Sequence, residues 1–146
     1  MALPTSYTYP WAIDTILQEN GLLRTFGVRF ESLDESGAAI SLHVAEQHFN
    51  TEGRIHGGTI ATLLDAVCGF AVRFDGPERS LIPAVTVSLS VNFQAVAGND
   101  QLRARGWVTS RGRQIFFAQG EIHDGNGLLV ASAIGAFKRH TTLPIS

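Results

Sequence analysis

Residues 56–72 read HGGTIATLLDAVCGFAV, and this stretch decides the fold. After the two glycines it carries one charge, at Asp65, and is apolar on nearly every side. A helix of that kind is buried on most of its surface in a folded domain. We therefore predict a central helix over residues 59–72, which ends at the Asp-Gly-Pro sequence of residues 75–77 and is enclosed by the rest of the chain.

Alternating segments on both sides of this helix predict strands. A loose tail over residues 1–9 and a short helix over residues 10–20 lead into a hairpin that turns at residues 34–37. This order of elements predicts an α+β fold, in which an antiparallel sheet wraps around one central helix as a single domain over residues 1–146. The predicted strands cover residues 26–33, 39–44, 82–93, 101–110, 114–123 and 128–138.

The first strand after the central helix alternates strictly between apolar and polar residues. Its polar residues, with Thr86 at their start, are predicted to share one face of a half-buried strand. The apolar residues predicted on the other face are Val85, Val87, Leu89, Val91 and Phe93.

Composition argues against several classes of function. The chain has 146 residues and a formal net charge of −2, and it lacks the basic run that nucleic-acid binding needs. No stretch is long and apolar enough to span a bilayer, and residues 1–10 lack the pattern of a signal peptide. The single cysteine, Cys68, cannot form an intrachain disulfide, so we expect a cytoplasmic protein. The five histidines show no metal-ligand spacing, so we expect no metal.

The start of the central helix is the first candidate site. Backbone N–H groups are unpaired there and the helix end is partly positive. Gly57 and Gly58 would let a ligand approach the backbone closely, so that an oxyanion formed from a carbonyl could be stabilised. The simpler interpretation, that the glycines form a tight turn capped by His56, stays open.

Asp65 is the second candidate, because a carboxylate in a buried helix is destabilising unless it is paired or functional. It could act as a general base or nucleophile, or it could reach the helix edge and bond to the backbone or an arginine. It lies eight residues beyond Gly57, which is roughly 12 Å along a helix. If both features serve one reaction, they come from different subunits, which predicts a homodimer with two composite sites.

Weaker candidates lie outside this segment. Thr86 could hold a water molecule, or it could simply face solvent. Arg111 and Arg113 flank Gly112 in a predicted turn and could bind the phosphates of a nucleotide-like ligand, although exposed turn arginines are common. Cys68 follows Asp65 by three residues and has no basic partner in sequence, so we expect it to pack in the core.

Asn50, Gly53, His56–Gly58 and residues 63–66 (LLDA) together resemble the signature of the PaaI-like hotdog-fold acyl-CoA thioesterases. This family includes phenylacetyl-CoA and 4-hydroxybenzoyl-CoA thioesterases. The resemblance spans residues 26–139 and continues through the alternating strand and the turn at residues 110–113. It implies a hotdog fold, in which the sheet wraps the helix, and hydrolysis of an acyl-CoA by dimers that often pair into tetramers. CoA belongs to the substrate, and no further cofactor is implied.

The resemblance also implies roles for individual residues. Asp65 would be the general base or nucleophile, Gly57 would supply an oxyanion N–H, and His56 would polarise or orient the thioester carbonyl. Asn50 of the facing subunit would assist at the reacting centre, and Thr86 would lie near the attacking water. The implied CoA contacts are Gly58, Ser88, Ser110, Arg111, Gly112 and Arg113.

Two other functions compete on the same fold. A hotdog hydratase or dehydratase pairs a catalytic histidine with an acid, and His48-Phe49 faintly resembles that arrangement, but His-Gly-Gly stands where those enzymes typically have Pro-Gly. A non-catalytic acyl-CoA-binding sensor would not need Asp65. The strand exit at residues 94–97 lacks the proline frequent in the family, and the sequence does not distinguish an aryl from a medium-chain acyl group.

Overall fold

The structure, a computed structural model, describes residues 17, 20–76 and 81–140. Its helices and strands, in chain order, are α1 (Gly21–Phe26), β1 (Arg29–Asp34), β2 (Gly37–His43), a 3-10 turn (Glu46–His48), α2 (Gly57–Arg73), β3 (Ala84–Phe93), β4 (Gln101–Arg111), β5 (Ile115–Asp124) and β6 (Leu129–Arg139). All strand pairs are antiparallel, and the sheet has the order β1-β2-β4-β5-β6-β3. The helix α2 packs against all six strands, so the predicted α+β layer arrangement is confirmed.

The hairpin and the last four strands also lie where the sequence predicts them. Asp34 accepts a hydrogen bond from the Ser36 N–H at 2.7 Å and so organises the predicted turn between β1 and β2. Strands β3 to β6 begin and end within two residues of the predicted bounds. None of the described helices has both the length and the apolar character needed to cross a membrane.

The prediction for the first strand was wrong at its beginning. Asn20 and Gly21 have the pattern of a helix end, and the Asn20 side chain also caps a further helix by accepting from the Leu23 N–H at 3.2 Å. Asparagine is favoured at that position as well. The helix ends at Gly27 with a left-handed φ of 78°, and β1 begins only at Arg29. The predicted helix over residues 10–20 and the tail over 1–9 lie, apart from residues 17 and 20, outside the described residues.

The helix α2 is less enclosed than its composition predicts. One side is buried in the core, but a stripe along the opposite side is only partly covered. Alanine and glycine raise the apolar content of this stripe without needing burial, which is why the sequence pattern was misleading. The residues of the open stripe are Ala61, Thr62, Asp65, Ala66, Gly69 and Arg73.

Two glycines let the buried side of α2 lie close to the sheet. Gly106 of β4 and Gly120 of β5 are paired across the strands. A Cβ atom on Gly106 would lie 2.7 Å from the Val67 carbonyl oxygen, and one on Gly120 would lie 2.9 Å from the Cys68 sulfur. Contacts that short are repulsive, so this glycine pair fixes the height of α2 over the sheet, and with it the position of Asp65.

The strict alternation predicted for β3 is interrupted by a β-bulge at Val87. Thr86 pairs with Phe137 and Ser88 pairs with Ala136, which is the next residue of β6. Val87 is therefore an extra residue of β3 that has no partner of its own in β6. An extra residue reverses which side chains face which way. Val85 and Val87 are about half exposed as a result, and Thr86 faces the helix rather than the outer surface. The helix-facing side chains of β3 are those of Thr86, Leu89, Val91 and Phe93.

The Asp124 carboxylate is hydrogen-bonded to the loop before β4 and to the loop before β6. We expect its replacement to lower the free energy of unfolding by an amount that depends on pH. The Gly98 N–H donates to its carboxylate at 2.7 Å, as do the N–H groups of Leu128 and Asn126, and these bonds hold the pKa of Asp124 below its ordinary value. A depressed carboxyl pKa adds stability above the unfolded-state value of about 4, and the gain is lost as pH falls through the folded-state pKa.

We therefore expect Asp124→Asn to lower the melting temperature at pH 7 and to approach the wild-type value near pH 3. Thermal unfolding followed by circular dichroism at several pH values measures this gap. Asp100→Asn, in the neighbouring loop, is the matched control, because its exposed side chain has no hydrogen bond among the described residues. A gap that stayed constant from pH 7 to pH 3 would contradict the account.

Candidate functional site

Asp65 lies on the open stripe of α2 and is held by a residue of β3. The Thr86 hydroxyl donates to Asp65 Oδ1 at 2.6 Å, and both side chains are partly exposed. Asp65 therefore reaches a partly exposed edge of the helix, which one of the two open interpretations allowed. Its partner is not the backbone or an arginine but a hydroxyl group, which the β3 bulge brings to the helix-facing side.

A cavity of about 450 Å³ opens over this stripe between α1, α2 and β3. That volume is typical of small-molecule sites. Its walls are partly apolar and partly polar, and the apolar side chains include Leu23, Phe70, Leu89 and Phe137. Asp65 and Thr86 form one polar part of the lining, and Arg73, at the end of α2, forms another.

The start of α2 leaves one backbone donor free. The Gly58 N–H donates to His56 Nδ1 at 2.7 Å, so His56 caps the helix as the simpler interpretation predicts. Because Nδ1 accepts, the neutral ring carries its proton on Nε2, which remains available to a ligand. The Gly57 N–H has no acceptor among residues 20–76 and 81–140. Capping by His56 and an oxyanion role for Gly57 are therefore compatible.

Asn50 shapes the loop that leads to the helix start. Its side-chain oxygen accepts from the Glu52 N–H at 2.9 Å and from the Arg54 N–H at 3.1 Å. Gly53 closes the same turn with a left-handed φ of 73°. The carboxamide oxygen is thus used within the loop, and the NH₂ group of Asn50 is the part left for a ligand.

The two candidate features do not share a cavity within one chain. Asn50, His56 and Gly57 are absent from the lining of the cavity that contains Asp65. Strand β3 nevertheless borders both: Thr86 contacts Asp65, and the Phe93 ring lies 3.5 Å from where a Cβ atom on Gly57 would be. The two contacts are at opposite ends of the strand, in agreement with the separation predicted from the sequence.

The predicted CoA contacts fall at three places. Gly58 is at the start of α2. Arg111, Gly112 and Arg113 are exposed in the β4–β5 turn, where the Gly112 N–H donates to the Ile115 carbonyl at 2.9 Å. Ser88 and Ser110 lie on the outer face of the sheet, away from α2, in one cross-strand row with Ala136 and Phe117. One chain does not bring these groups together around Asp65, so their role stays a prediction.

His48 is a structural residue. Its side chain is 1% exposed, its Nδ1 accepts from the Ala45 N–H at 2.8 Å, and its Nε2 donates to the Phe26 carbonyl at 2.7 Å. Its own carbonyl accepts from the His56 N–H and so anchors the helix start. Both ring nitrogens of His48 are occupied within the chain, so His48 is not free to act as the catalytic histidine of a hotdog hydratase.

We expect His48→Phe to lower the free energy of unfolding by roughly 2 to 4 kcal/mol, because two buried backbone groups lose their partners. The turnover number of the folded fraction should change only a few-fold. Urea unfolding and steady-state kinetics measure the two effects. His43→Phe, at an exposed histidine, should alter stability by less than about 0.5 kcal/mol. Loss of turnover without loss of stability would instead make His48 catalytic.

Cys68 is fully buried and lies outside the cavity lining. Burial, together with the negative charge of Asp65, raises the pKa of Cys68 to about 12. The thiol is therefore unreactive at neutral pH, as its expected packing role implies. Within the described part of the chain, no group of His, Cys, Asp or Glu is arranged to hold a metal ion.

Sequence reasoning missed Arg73 and Phe93 as candidate residues. Arg73 follows Asp65 by two steps of four residues, through Gly69, and this spacing places all three on one helix face. That pattern could have identified Arg73. The position of Phe93 beside Gly57 depends on how β3 lies along α2, and no local sequence pattern encodes it.

Comparison with known proteins decides the family. The thioesterase superfamily model matches residues 52–131, which include the helix start, Asp65 and Thr86. A protein of Pseudomonas aeruginosa named "Putative esterase PA0474" is 33% identical over 130 residues, which are 88% of this chain and 95% of that protein. The chain belongs to the thioesterase superfamily. It is thus a thioester hydrolase, as the sequence resemblance predicted.

Solved structures of superfamily members share the fold. The Escherichia coli PaaI protein from the phenylacetic acid degradation operon superposes with a TM-score of 0.79 at 22% identity, over 88% of this chain and 91% of that one. A Streptococcus mutans protein bound to acetyl-CoA superposes with a TM-score of 0.70 at 22% identity, over 77% of this chain and 88% of that one. The hotdog fold of this thioesterase is thereby confirmed.

Proposed function

We propose that this thioesterase hydrolyses an aryl- or medium-chain acyl-CoA to the free acid and CoA, with Asp65 as the reacting carboxylate. One observation supports this most strongly: a carboxylate oriented by the Thr86 hydroxyl at 2.6 Å stands on the wall of a cavity that also has apolar side chains in its lining. An apolar acyl group would occupy that cavity, and the thioester carbonyl would lie beside Asp65. The acetyl-CoA bound to the Streptococcus mutans relative supports a CoA substrate for this fold.

The site becomes complete in a homodimer that forms along β3. This strand is at the edge of the sheet, so one row of its backbone groups has no partner strand among the described residues. Its exposed Val85, Val87 and Phe93 would also leave an apolar surface uncovered, and long exposed edges of this kind tend to associate.

Two-fold pairing of β3 would bring the two halves of the site together. If the strand pairs antiparallel with its copy about a two-fold axis at Ser90, Leu89 lies opposite Val91 of the partner subunit, and the bulge at Val87 then brings Thr86 opposite Phe93 of the partner subunit. Thr86 contacts Asp65, and Phe93 adjoins Gly57. The same operation therefore places Asp65 of one subunit near the α2 start of the other. Such dimers would pair further into tetramers, as the family resemblance implies.

The reaction then follows from the groups present. The thioester carbonyl would accept a hydrogen bond from the Gly57 N–H of the partner subunit, at the positive end of α2, with His56 beside it and the Asn50 NH₂ group assisting. In one route Asp65 takes a proton from water as the water oxygen bonds to the carbonyl carbon, while the Thr86 oxygen accepts from the same water. The C–S bond then breaks, and CoA leaves as a thiolate.

In a second route, an Asp65 oxygen attacks the carbonyl carbon directly. CoA leaves first as a thiolate, and water then attacks the Asp65 carboxyl carbon of the resulting mixed anhydride, which breaks its bond to the bridging oxygen and releases the free acid. Single turnover in ¹⁸O-labelled water distinguishes the two routes, because only the second route places the label in Asp65.

Arg111 and Arg113 would supply positive charge for the CoA phosphates near Ser110 and Gly112, and Gly58 and Ser88 complete the proposed CoA contacts. No other cofactor takes part. A single cysteine and a CoA substrate are consistent with a cytoplasmic enzyme.

CoA release from a panel of aryl, short-, medium- and long-chain acyl-CoAs tests this function. A thiol reagent reports the released CoA with little background, because Cys68 is buried and protonated. We expect turnover with aryl or medium-chain substrates. If calorimetry shows acyl-CoA binding but no CoA is released from any substrate, the protein is a sensor and the proposal is wrong.

A further inference from the structure

Arg73 provides a positive charge in the proposed acyl cavity, away from the reacting carboxylate. It is the last residue of α2 and lines the same cavity as Asp65. The Cα atoms of the two residues are separated by eight positions, or roughly 12 Å along the helix axis. The long Arg73 side chain extends back over the preceding turn of the helix, toward Asp65, since its guanidinium carbon lies near the Phe70 ring.

The guanidinium group is only partly satisfied by the protein. Its Nε donates to the Ile82 carbonyl at a long 3.3 Å, and its central carbon lies 5.9 Å from the centroid of the Phe70 ring. No carboxylate pairs with it among the described residues, whereas Arg103 pairs with Glu31 and Arg139 with Asp75. Burial alone lowers the pKa of Arg73, which shows that the charge is partly desolvated. Such a cation favours an anionic ligand.

The path between Asp65 and Arg73 is clear of side chains on the helix. Gly69 stands between them, and a Cβ atom there would meet only the Phe137 ring, at 4.0 Å. Leu89 and Phe70 provide apolar walls along the same cavity. The cavity therefore offers, in order, a reacting carboxylate, an apolar passage and a cation with free N–H donors.

We propose that Arg73 binds a carboxylate at the far end of the acyl group. The preferred substrates are then CoA thioesters of dicarboxylic acids of medium length, in which the chain crosses the apolar passage and the free carboxylate meets the guanidinium fork. The proposal rests on the thioesterase function proposed above and names its substrate class. An uncharged acyl chain of the same length would leave Arg73 without an anion and would bind less well.

Adipyl-CoA and hexanoyl-CoA provide the test, because their acyl chains have equal length and differ in the terminal carboxylate. We expect the wild type to prefer adipyl-CoA in kcat/KM by roughly 10- to 100-fold, the range for a charge-assisted, bidentate contact. Arg73→Met should bring the ratio near one, and Arg73→Lys should retain part of the preference. Arg105→Met, at an exposed arginine on the outer face of the sheet, removes the same charge and should leave the ratio unchanged.

Two results would overturn the proposal. The wild type could hydrolyse both substrates equally, or Arg73→Met could reduce both in proportion, which would make Arg73 structural; thermal melting of each variant shows whether folding is affected. If neither thioester is hydrolysed but another acyl-CoA of the panel is, the inferred substrate class is wrong and the thioesterase function stands. If no acyl-CoA of the panel is hydrolysed, the proposed function fails, and calorimetry with the same two ligands decides whether Arg73 binds a carboxylate. Tighter binding of adipyl-CoA that Arg73→Met abolishes supports the site, and equal binding of the two ligands excludes it.

Discussion

Asp65→Asn is expected to lower kcat for acyl-CoA hydrolysis by roughly 10²- to 10⁴-fold, the range typical of a lost general base. Asparagine has the same shape, and its side-chain oxygen can still accept the Thr86 hydrogen bond seen at 2.6 Å. It can neither take a proton from water nor attack a carbonyl. Because Asp65 is partly exposed, the melting temperature and KM should change little. Stopped assays of CoA release with purified variants provide the measurement.

Loss of the Thr86 hydroxyl is expected to lower kcat less than loss of the Asp65 carboxylate does, so the two effects can be compared. Thr86→Val keeps the side-chain shape and removes the hydroxyl group, so the carboxylate loses its orienting donor, and a decrease of about tenfold is expected for one hydrogen bond of this strength. Thr86→Ser should restore most of the rate. Wild-type turnover in Asp65→Asn would show that another residue performs the chemistry.

Gly57→Pro is expected to reduce kcat by roughly 10²- to 10³-fold, the usual effect of removing one oxyanion-hole donor. The substitution deletes the backbone N–H and little else. Proline is favoured at the first position of a helix, where the N–H has no partner within the helix. His56 already has an extended backbone, with φ −62° and ψ 136°, which is the conformation that a following proline requires.

Gly57→Ala is the matched control for the proline variant. It adds a side chain at the same position but keeps the N–H, and its Cβ atom would only touch the Phe93 ring, at 3.5 Å. We expect Gly57→Ala to retain activity within a few-fold and both variants to melt near the wild-type temperature. If alanine and proline reduce turnover equally, steric change at the helix start is responsible, and the Gly57 N–H is not the donor.

Much of the fold could be predicted from the sequence, because each of its main patterns is compatible with only one kind of secondary structure. Strands β4 to β6 alternate and are separated by turns rich in glycine and asparagine, so their bounds could be predicted. The segment from Gly57 to Arg73 is too long and apolar for anything but a helix that packs on the sheet. The helix start at Gly57 and the lone charge at Asp65 could be predicted as candidate sites from the sequence pattern, and the resemblance to thioesterases implies a role for the same two residues.

Three features could not be predicted, for physical reasons. The bulge at Val87 adds one residue to a strand whose sequence alternates without a break. The position of the bulge depends on the hydrogen-bond register between β3 and β6. Asn20 has the pattern of a helix end, and the same residue type also caps a helix start, so no local pattern marks the short helix α1 that follows it. Small apolar residues such as Ala61 and Gly69 occur at both buried and exposed positions. The composition of α2 therefore does not show which of its sides is exposed.

The central claim is that Asp65 of one subunit reacts with a thioester held by the Gly57 N–H of the other, and mixed dimers test it most directly. Asp65→Asn and Gly57→Pro proteins would be unfolded together and refolded, and the rate of CoA release would be compared with that of each parent. Random reassembly makes half of the dimers mixed, each with one intact composite site, so the mixture should recover about a quarter of wild-type activity. A mixture that stays as inactive as its parents would show that both groups act within one chain, or that they do not share a site at all.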